Sequence, residues 1–207
     1  MIYFEKDKKF TGLDFIDINI PSNNMQLKAY YATRKSIFSD EQNLFQESDV
    51  DKKDSHSIPI IAVNHYLGSP DAVIGVVRIY EEKKGEWFGG RLGVHKEYRS
   101  FSKFVCPKLF SEQVQISSLY KMSVAAGLIY RAVSLANDIG CHKFSAYVQE
   151  QNVKLFERLH WQVVKEVYLH KTKHFLMEAN LDAYPATPIY NTSVANSKSL
   201  LQLLKVA

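Results

Sequence analysis

Cysteine is nearly absent. The 207 residues hold two, Cys106 and Cys141, far apart and outside any ligand spacing, so neither a disulfide framework nor a thiolate metal site is expected. No apolar run approaches the roughly eighteen residues that a membrane-spanning helix needs. The start, Met1-Ile2-Tyr3-Phe4-Glu5-Lys6, lacks the basic segment and long apolar segment of a secretory signal. Lys and Arg form no block, and a net charge of +4 is mild, so neither nucleic acid nor membrane is an expected partner. His160, His170 and His174 show no His-x-x-x-His spacing and no interleaved carboxylates, and they read as surface or structural histidines rather than metal ligands. These absences point to a cytoplasmic protein without a metal.

With 46% apolar and 23% charged residues, the chain can bury a core of ordinary size. Asp14 to Ile20 alternates strictly, as a half-buried strand does. Pro21 to Asn24 then supplies a turn and an N-cap for a helix reaching about Phe38. Arg34 and Phe38 lie one turn apart on that helix, either facing one cleft or divided between core and snorkelling cation. Asp40 to Ser57 is acidic and aperiodic, and reads as a mobile loop. The β-branched runs Ile58 to Asn64 and Ala72 to Tyr80 form a hairpin around Gly68-Ser69-Pro70-Asp71. Arg78, near the end of the second run, either pairs with the acidic loop or touches substrate. Glu86 to Val94 reads as a further strand, and Gly89-Gly90 inside it suggests a bulge that splays it from a neighbour. A helix runs from the small-residue stretch Ser123-Val124-Ala125-Ala126 to Gly140. Its uncovered N-terminal N–H groups and macrodipole suit a phosphate. A strand from Cys141 to Val148, a short helix from Val153 to Leu159 and a closing pair, Trp161 to Leu169 and Lys173 to Leu181, complete the pattern.

The run Leu92-Gly93-Val94-His95-Lys96-Glu97-Tyr98-Arg99, the small-residue loop opening a helix, and Val148 to Trp161 together resemble the core of the GNAT superfamily of acetyl-CoA-dependent N-acyltransferases. The likeness is strongest to the subgroup associated with nitrilase gene clusters and nitrogen starvation, and it covers roughly residues 25 to 181. It implies an α/β fold with a mixed, mostly antiparallel sheet of six or seven strands, helices on both faces and a V-shaped gap beside Val94. It also implies transfer of an acetyl group from acetyl-CoA to a small amine. The co-substrate is then expected along Leu92, Val94, Lys121, Val124, Ala125, Ala126, Gly127, Leu128, Asn152 and Phe156. Backbone N–H groups at Gly93 and Val94 hold the oxyanion, and Glu86 is the candidate base. Arg34, Phe38 and Arg78 are candidates for binding the acceptor; with Trp87 and the Gly75-x-x-Arg78 spacing they also resemble acyl-homoserine-lactone synthases, which use S-adenosylmethionine.

The chain departs from the GNAT pattern in several places. Val124 stands at the first glycine of the phosphate loop, Phe156 at a common tyrosine, and His160-Trp161 at Gly-Phe. An apolar segment, Ser100 to Tyr120, is inserted. These departures favour a third reading, a GNAT-like domain that binds CoA or a metabolite without turnover. With Phe156 unable to act as an acid, the thiolate is expected to leave to water or to be protonated by Tyr120 or Tyr147. Residues 1 to 185 are expected to form the domain, its insertion packing over the cleft or against the second subunit of a homodimer. Residues 186 to 207 are expected to form a linker and a short amphipathic helix.

Overall fold

The computed structural model describes residues 15–66, 69–100, 122–169 and 172–186. Residues 101–121, which hold Cys106, Tyr120, Lys121 and all of the insertion but Ser100, lie outside these residues, as do His170 and the tail beyond Ala186.

Seven strands form one sheet in the order β1-β2-β3-β4-β5-β7-β6: β1 Phe15–Asn19, β2 Ile58–Tyr66, β3 Ser69–Lys83, β4 Glu86–Val94, β5 Lys143–Gln149, β6 Trp161–Leu169 and β7 Thr172–Ala179. Every neighbouring pair is antiparallel except β4 and β5. The helices are α1 Asn24–Lys35, α2 Val124–Asp138 and α3 Val153–Arg158. Ser69 and Pro70 already pair with Tyr66 and His65, so β3 begins inside the stretch Gly68 to Asp71 expected to divide the two strands.

Residue alternation in β2 shows why both faces need cover. Ile60 and Ala62 point into the core under α2, and Ile61 and Val63 point into a second core with Tyr30, Ile37 and Phe38. A strand buried on both faces reads as a continuous apolar run, as Ile60-Ile61-Ala62-Val63 does. Asn23 caps α1 by accepting from the Gln26 N–H. The helix then continues into a π-helical turn, Ser36–Glu41, which places Ile37 and Phe38 over the sheet. α2 is buried over most of its circumference and crosses β3 at Gly75. A Cβ on Gly75 would stand 2.9 Å from Leu128 Cδ1, 3.2 Å from Val124 Cγ1 and 3.3 Å from the Gly93 carbonyl oxygen. The missing side chain is therefore what lets the start of α2 seat beside the end of β4.

The segment expected to be a mobile loop is an ordered strap. A 3₁₀ helix, Lys52–His56, opens with a reciprocal cap between Asp51 and Asp54. Its acidic residues are tied to three arginines, described below, and that pairing supplies the order that hydrophobic periodicity could not reveal.

Candidate active site

β4 and β5 pair in parallel from Glu86↔Lys143 only as far as Gly89↔Ala146. Beyond that point β4 continues to Val94 beside β3 alone, and β5 continues to Gln149 beside β7 alone. The two strands thus diverge into a V whose edges are Gly90 to Val94 and Tyr147 to Gln149. A bulge on β4 accompanies the divergence, because Arg78 faces Gly90 and Val76 faces Gly93, so Arg91 and Leu92 together oppose Val77. Gly89 and Gly90 are themselves in register, and the left-handed residue is Arg91, with φ +54°. The bulge therefore falls just past the glycine pair that suggested it.

The N-terminus of α2 lies at the mouth of this gap, as the shared contact of Val124, Leu128 and the Gly93 carbonyl around Gly75 shows. Ser123 caps the helix by accepting from the Ala126 N–H at 3.2 Å, and the Gly127 N–H donates to the Ser123 carbonyl at 2.9 Å. Leu128 donates within the helix and its side chain is core. Of the five positions Val124 to Leu128, only Val124 and Ala125 keep N–H groups outside these bonds.

On the opposite face of the sheet, the strap is held by Arg34, Arg78 and Arg91. Arg34 is completely buried, and all five of its donors are used. Nε donates to Asp49 Oδ2, Nη1 to Tyr30 Oη and Asp54 Oδ1, and Nη2 to the Asp49 carbonyl and Asp54 Oδ2, at 2.5 to 3.1 Å. Arg34 therefore has no donor left for a substrate. Arg78 meets Asp51 through Nη1 at 2.8 Å and Nη2 at 2.6 Å, with Nη1 also 2.8 Å from Asp54. Its Nε has no hydrogen-bond partner although the residue is 3% exposed. Arg91 donates through Nε and Nη2 to the Asp49 carbonyl and to the carboxylates of Asp49 and Asp51. These bonds fix the left-handed backbone of the bulge. Burial would raise the Asp54 carboxyl; hydrogen bonds from Arg34, the Asp51 N–H and Arg78 outweigh it and hold the group down at about 2. Burial, and then the charge of Arg78, lower the Arg91 guanidinium.

The remaining candidates are scattered. Phe38 is buried, and its ring edge lies against the place a Cβ on Gly93 would take, 3.0 Å away. Trp87 is buried in the core under α2. Glu86 sits at the closed end of β4, opposite Lys143, about 20 Å along the strand from Gly93. It is thus on the wrong side of the divergence to take a proton in the gap. Phe156 is buried edge-on against Trp161, with centroids 4.9 Å apart, in a knot where Trp161 Nε1 donates to Tyr184 Oη. It packs the core rather than lining a cleft, and Asn152 is exposed at the start of α3. His160 has φ +63°, so it takes the backbone conformation that the glycine of the family pattern prefers.

Sequence reasoning missed Arg91, the assignment of Asp49, Asp51 and Asp54 to particular arginines, and an aromatic row across three strands. Tyr80 stacks on Phe88 at 6.0 Å and Phe88 meets Tyr147 at 5.9 Å. Tyr147 is 47% exposed and is the first β5 residue past the last parallel pair. Among the described residues, no group of three His, Cys, Asp or Glu side chains is placed to hold a metal ion, and no helix is long and apolar enough to cross a membrane.

Solved structures share this architecture. A candidate N-acetyltransferase from Lactobacillus plantarum superposes with a TM-score of 0.62 at 18% identity, covering 81% of this chain and 99% of its own. An acyl-CoA N-acyltransferase from Pseudomonas aeruginosa gives 0.56 at 18%, over 79% and 99%. The CoA-dependent acyl-homoserine lactone synthase BjaI gives 0.56 at 13%, over 80% and 82%. The fold is that of the GNAT acyltransferases. No family model and no curated protein sequence matches the chain.

Proposed function

We propose that this chain is an acyl-CoA-dependent N-acyltransferase that moves an acetyl group from acetyl-CoA to the nitrogen of a small amine. The observation that carries the reading is the divergence of β4 and β5 after Gly89↔Ala146, with the N-terminus of α2 at its mouth. An extended chain fits between strands whose facing edges have no ladder partner. The N–H groups of Val124 and Ala125, the helix dipole and Lys121 meet the pyrophosphate. The amine nitrogen attacks the thioester carbonyl carbon; the C–N bond forms, the C–S bond breaks, and the nitrogen gives up its proton to water, from which the acid that protonates the thiolate is restored. N–H groups on the β4 edge from Leu92 to Val94 stabilise the oxyanion. Tyr147, beside the gap, protonates the departing thiolate. The amine enters as its free base, because Glu86 lies too far down β4 to deprotonate it.

Free, buried Cys141 suits the cytosol. The narrower likeness to the nitrilase-cluster subgroup rests on Leu92 to Arg99 and Val148 to Trp161. A second reading, an acyl-homoserine-lactone-type synthase using S-adenosylmethionine, draws on the resemblance carried by Arg34, Phe38 and Arg78; of the two arginines, Arg78 is the one with an unused donor. Thermal unfolding with acetyl-CoA, CoA and S-adenosylmethionine in parallel separates the readings, since a ligand at a hundred times its Kd adds about 2.7 kcal/mol. Stabilisation by acetyl-CoA with acylation of an amine panel supports the proposal. Stabilisation by CoA with no amine acylated supports a binding domain, and no stabilisation by either overturns both.

A further inference from the structure

The Arg78 guanidinium is buried at one cross-strand partner of Gly90, the first β4 residue past the parallel pairing. Asp51 and Asp54 occupy its two Nη nitrogens, on the side of the strap. Its Nε has no partner. A buried N–H without an acceptor is costly, and more so when it belongs to a cation, so such a donor in a native protein calls for an occupant. Among the described residues, and apart from the two chain neighbours of Gly90, this atom alone comes within 4 Å of the place where a Cβ on Gly90 would stand, and Nε itself is 3.8 Å away. The glycine therefore leaves a place without a side chain beside the buried donor. Phe88 and Tyr147 continue from it as aromatic surface on the same side of the sheet.

We propose that this vacancy is the acceptor's binding site, and that the acceptor is an amine carrying a carboxylate and an aromatic or large apolar body. One carboxylate oxygen accepts from Arg78 Nε over Gly90, and the body lies on Phe88 and Tyr147. This holds the amine beside the opening of the gap. The acyltransferase reading supplies only the role of acceptor; the binding itself is independent of it.

The test is isothermal titration of wild type and Gly90→Ala with phenylalanine, phenethylamine and glycine. Phenethylamine keeps the body and amine of phenylalanine without the carboxylate, and glycine keeps the carboxylate and amine without the body. A Cβ on Gly90 is in ordinary contact distance of Nε, so Gly90→Ala is expected to keep the wild-type melting temperature while covering the donor. Wild type is expected to bind phenylalanine at least roughly tenfold more tightly than either other probe, the worth of one charge-assisted bond. Gly90→Ala is expected to lose the preference over phenethylamine. Equal binding of phenylalanine and phenethylamine, binding of neither, or a preference that survives in Gly90→Ala overturns the proposal. Acetyl-CoA is titrated in the same series. Failure of acetyl-CoA to bind while the phenylalanine preference stands removes the acyltransferase reading and leaves the carboxylate site in place.

Discussion

Arg34 and Asp54 form a two-pronged ion pair, Nη1 to Oδ1 at 2.5 Å and Nη2 to Oδ2 at 3.1 Å, between side chains that are both buried. Removing one partner strands the other charge away from water, which costs about 3–5 kcal/mol. Arg34→Met and Asp54→Ala are each expected to lower unfolding stability by that amount in urea titrations. Arg34→Lys is expected to rescue little, because an ammonium cannot fill five positions in a plane. A residue whose role was confined to substrate would change KM and leave the urea midpoint alone.

The same pairing sets a pH dependence. Asp54 is held at about 2 against an ordinary 3.8, and Asp51 is also lowered, its burial outweighed by bonds from Arg78 and the Lys53 N–H. A depressed carboxylate contributes its stability above the ordinary value and loses it as pH falls through the folded value. The contribution is therefore complete above about pH 4 and is lost between about pH 4 and 2. For Asp54 it is on the order of 2 kcal/mol. Chemical denaturation at steps across that interval should show the loss in wild type and a flatter profile in Asp54→Asn.

The contrast between β4 and the strap shows what a sequence makes legible. Strands and helices were readable because their burial imposes a period: Ile16 and Ile18 on one face of β1, or Leu128, Ala132 and Leu135 on α2. The mixed, mostly antiparallel sheet and the gap followed from resemblance and from Gly89-Gly90. The strap was not readable as structure, since Asp49, Asp51 and Asp54 are ordered by arginines at least fifteen residues away, and charge pairing has no period. Glu86 and Phe156 were misplaced for a related reason. Position along a strand and side of a helix decide whether a group reaches a cleft, and residue type does not.

Burial decides which residue at the start of α2 can test the phosphate site. A glutamate at buried Ala126 would be forced into the interior, whereas Ala125 is only partly buried at the edge of the core and has an open N–H. Ala125→Glu is expected to leave the melting temperature within about 0.5 kcal/mol equivalent of wild type and to weaken CoA binding at least tenfold, through charge against the pyrophosphate. Ala126→Glu is expected to unfold the protein instead. Calorimetry with CoA, read beside thermal unfolding, checks both, and unchanged CoA affinity in Ala125→Glu would remove the site from α2.

With Glu86 at the closed end of β4, no carboxylate of the sequence-based scheme stands ready to deprotonate the amine. The pH profile of kcat/KM is then expected to follow the free-base fraction of the acceptor, shifting with the amine's own pKa across a panel. Glu86→Gln should leave that profile unchanged. A limb lost in Glu86→Gln, at the same pH for every amine, would restore Glu86 as the base.

Tyr147 supplies the last test of chemistry, because it is the first β5 residue beyond the shared register with β4 and its hydroxyl is on a half-exposed ring packed against Phe88. Tyr147→Phe keeps the ring and its contact and removes the one proton donor proposed for the thiolate. General-acid catalysis is typically worth ~100-fold or more. The expected result is a fall in kcat of about that size with the KM for acetyl-CoA little changed. The loss should shrink for acyl donors whose thiols are more acidic, since a better leaving group needs less help. An equal loss for every donor would make Tyr147 a positioning residue, and no loss would leave the thiolate to depart to water.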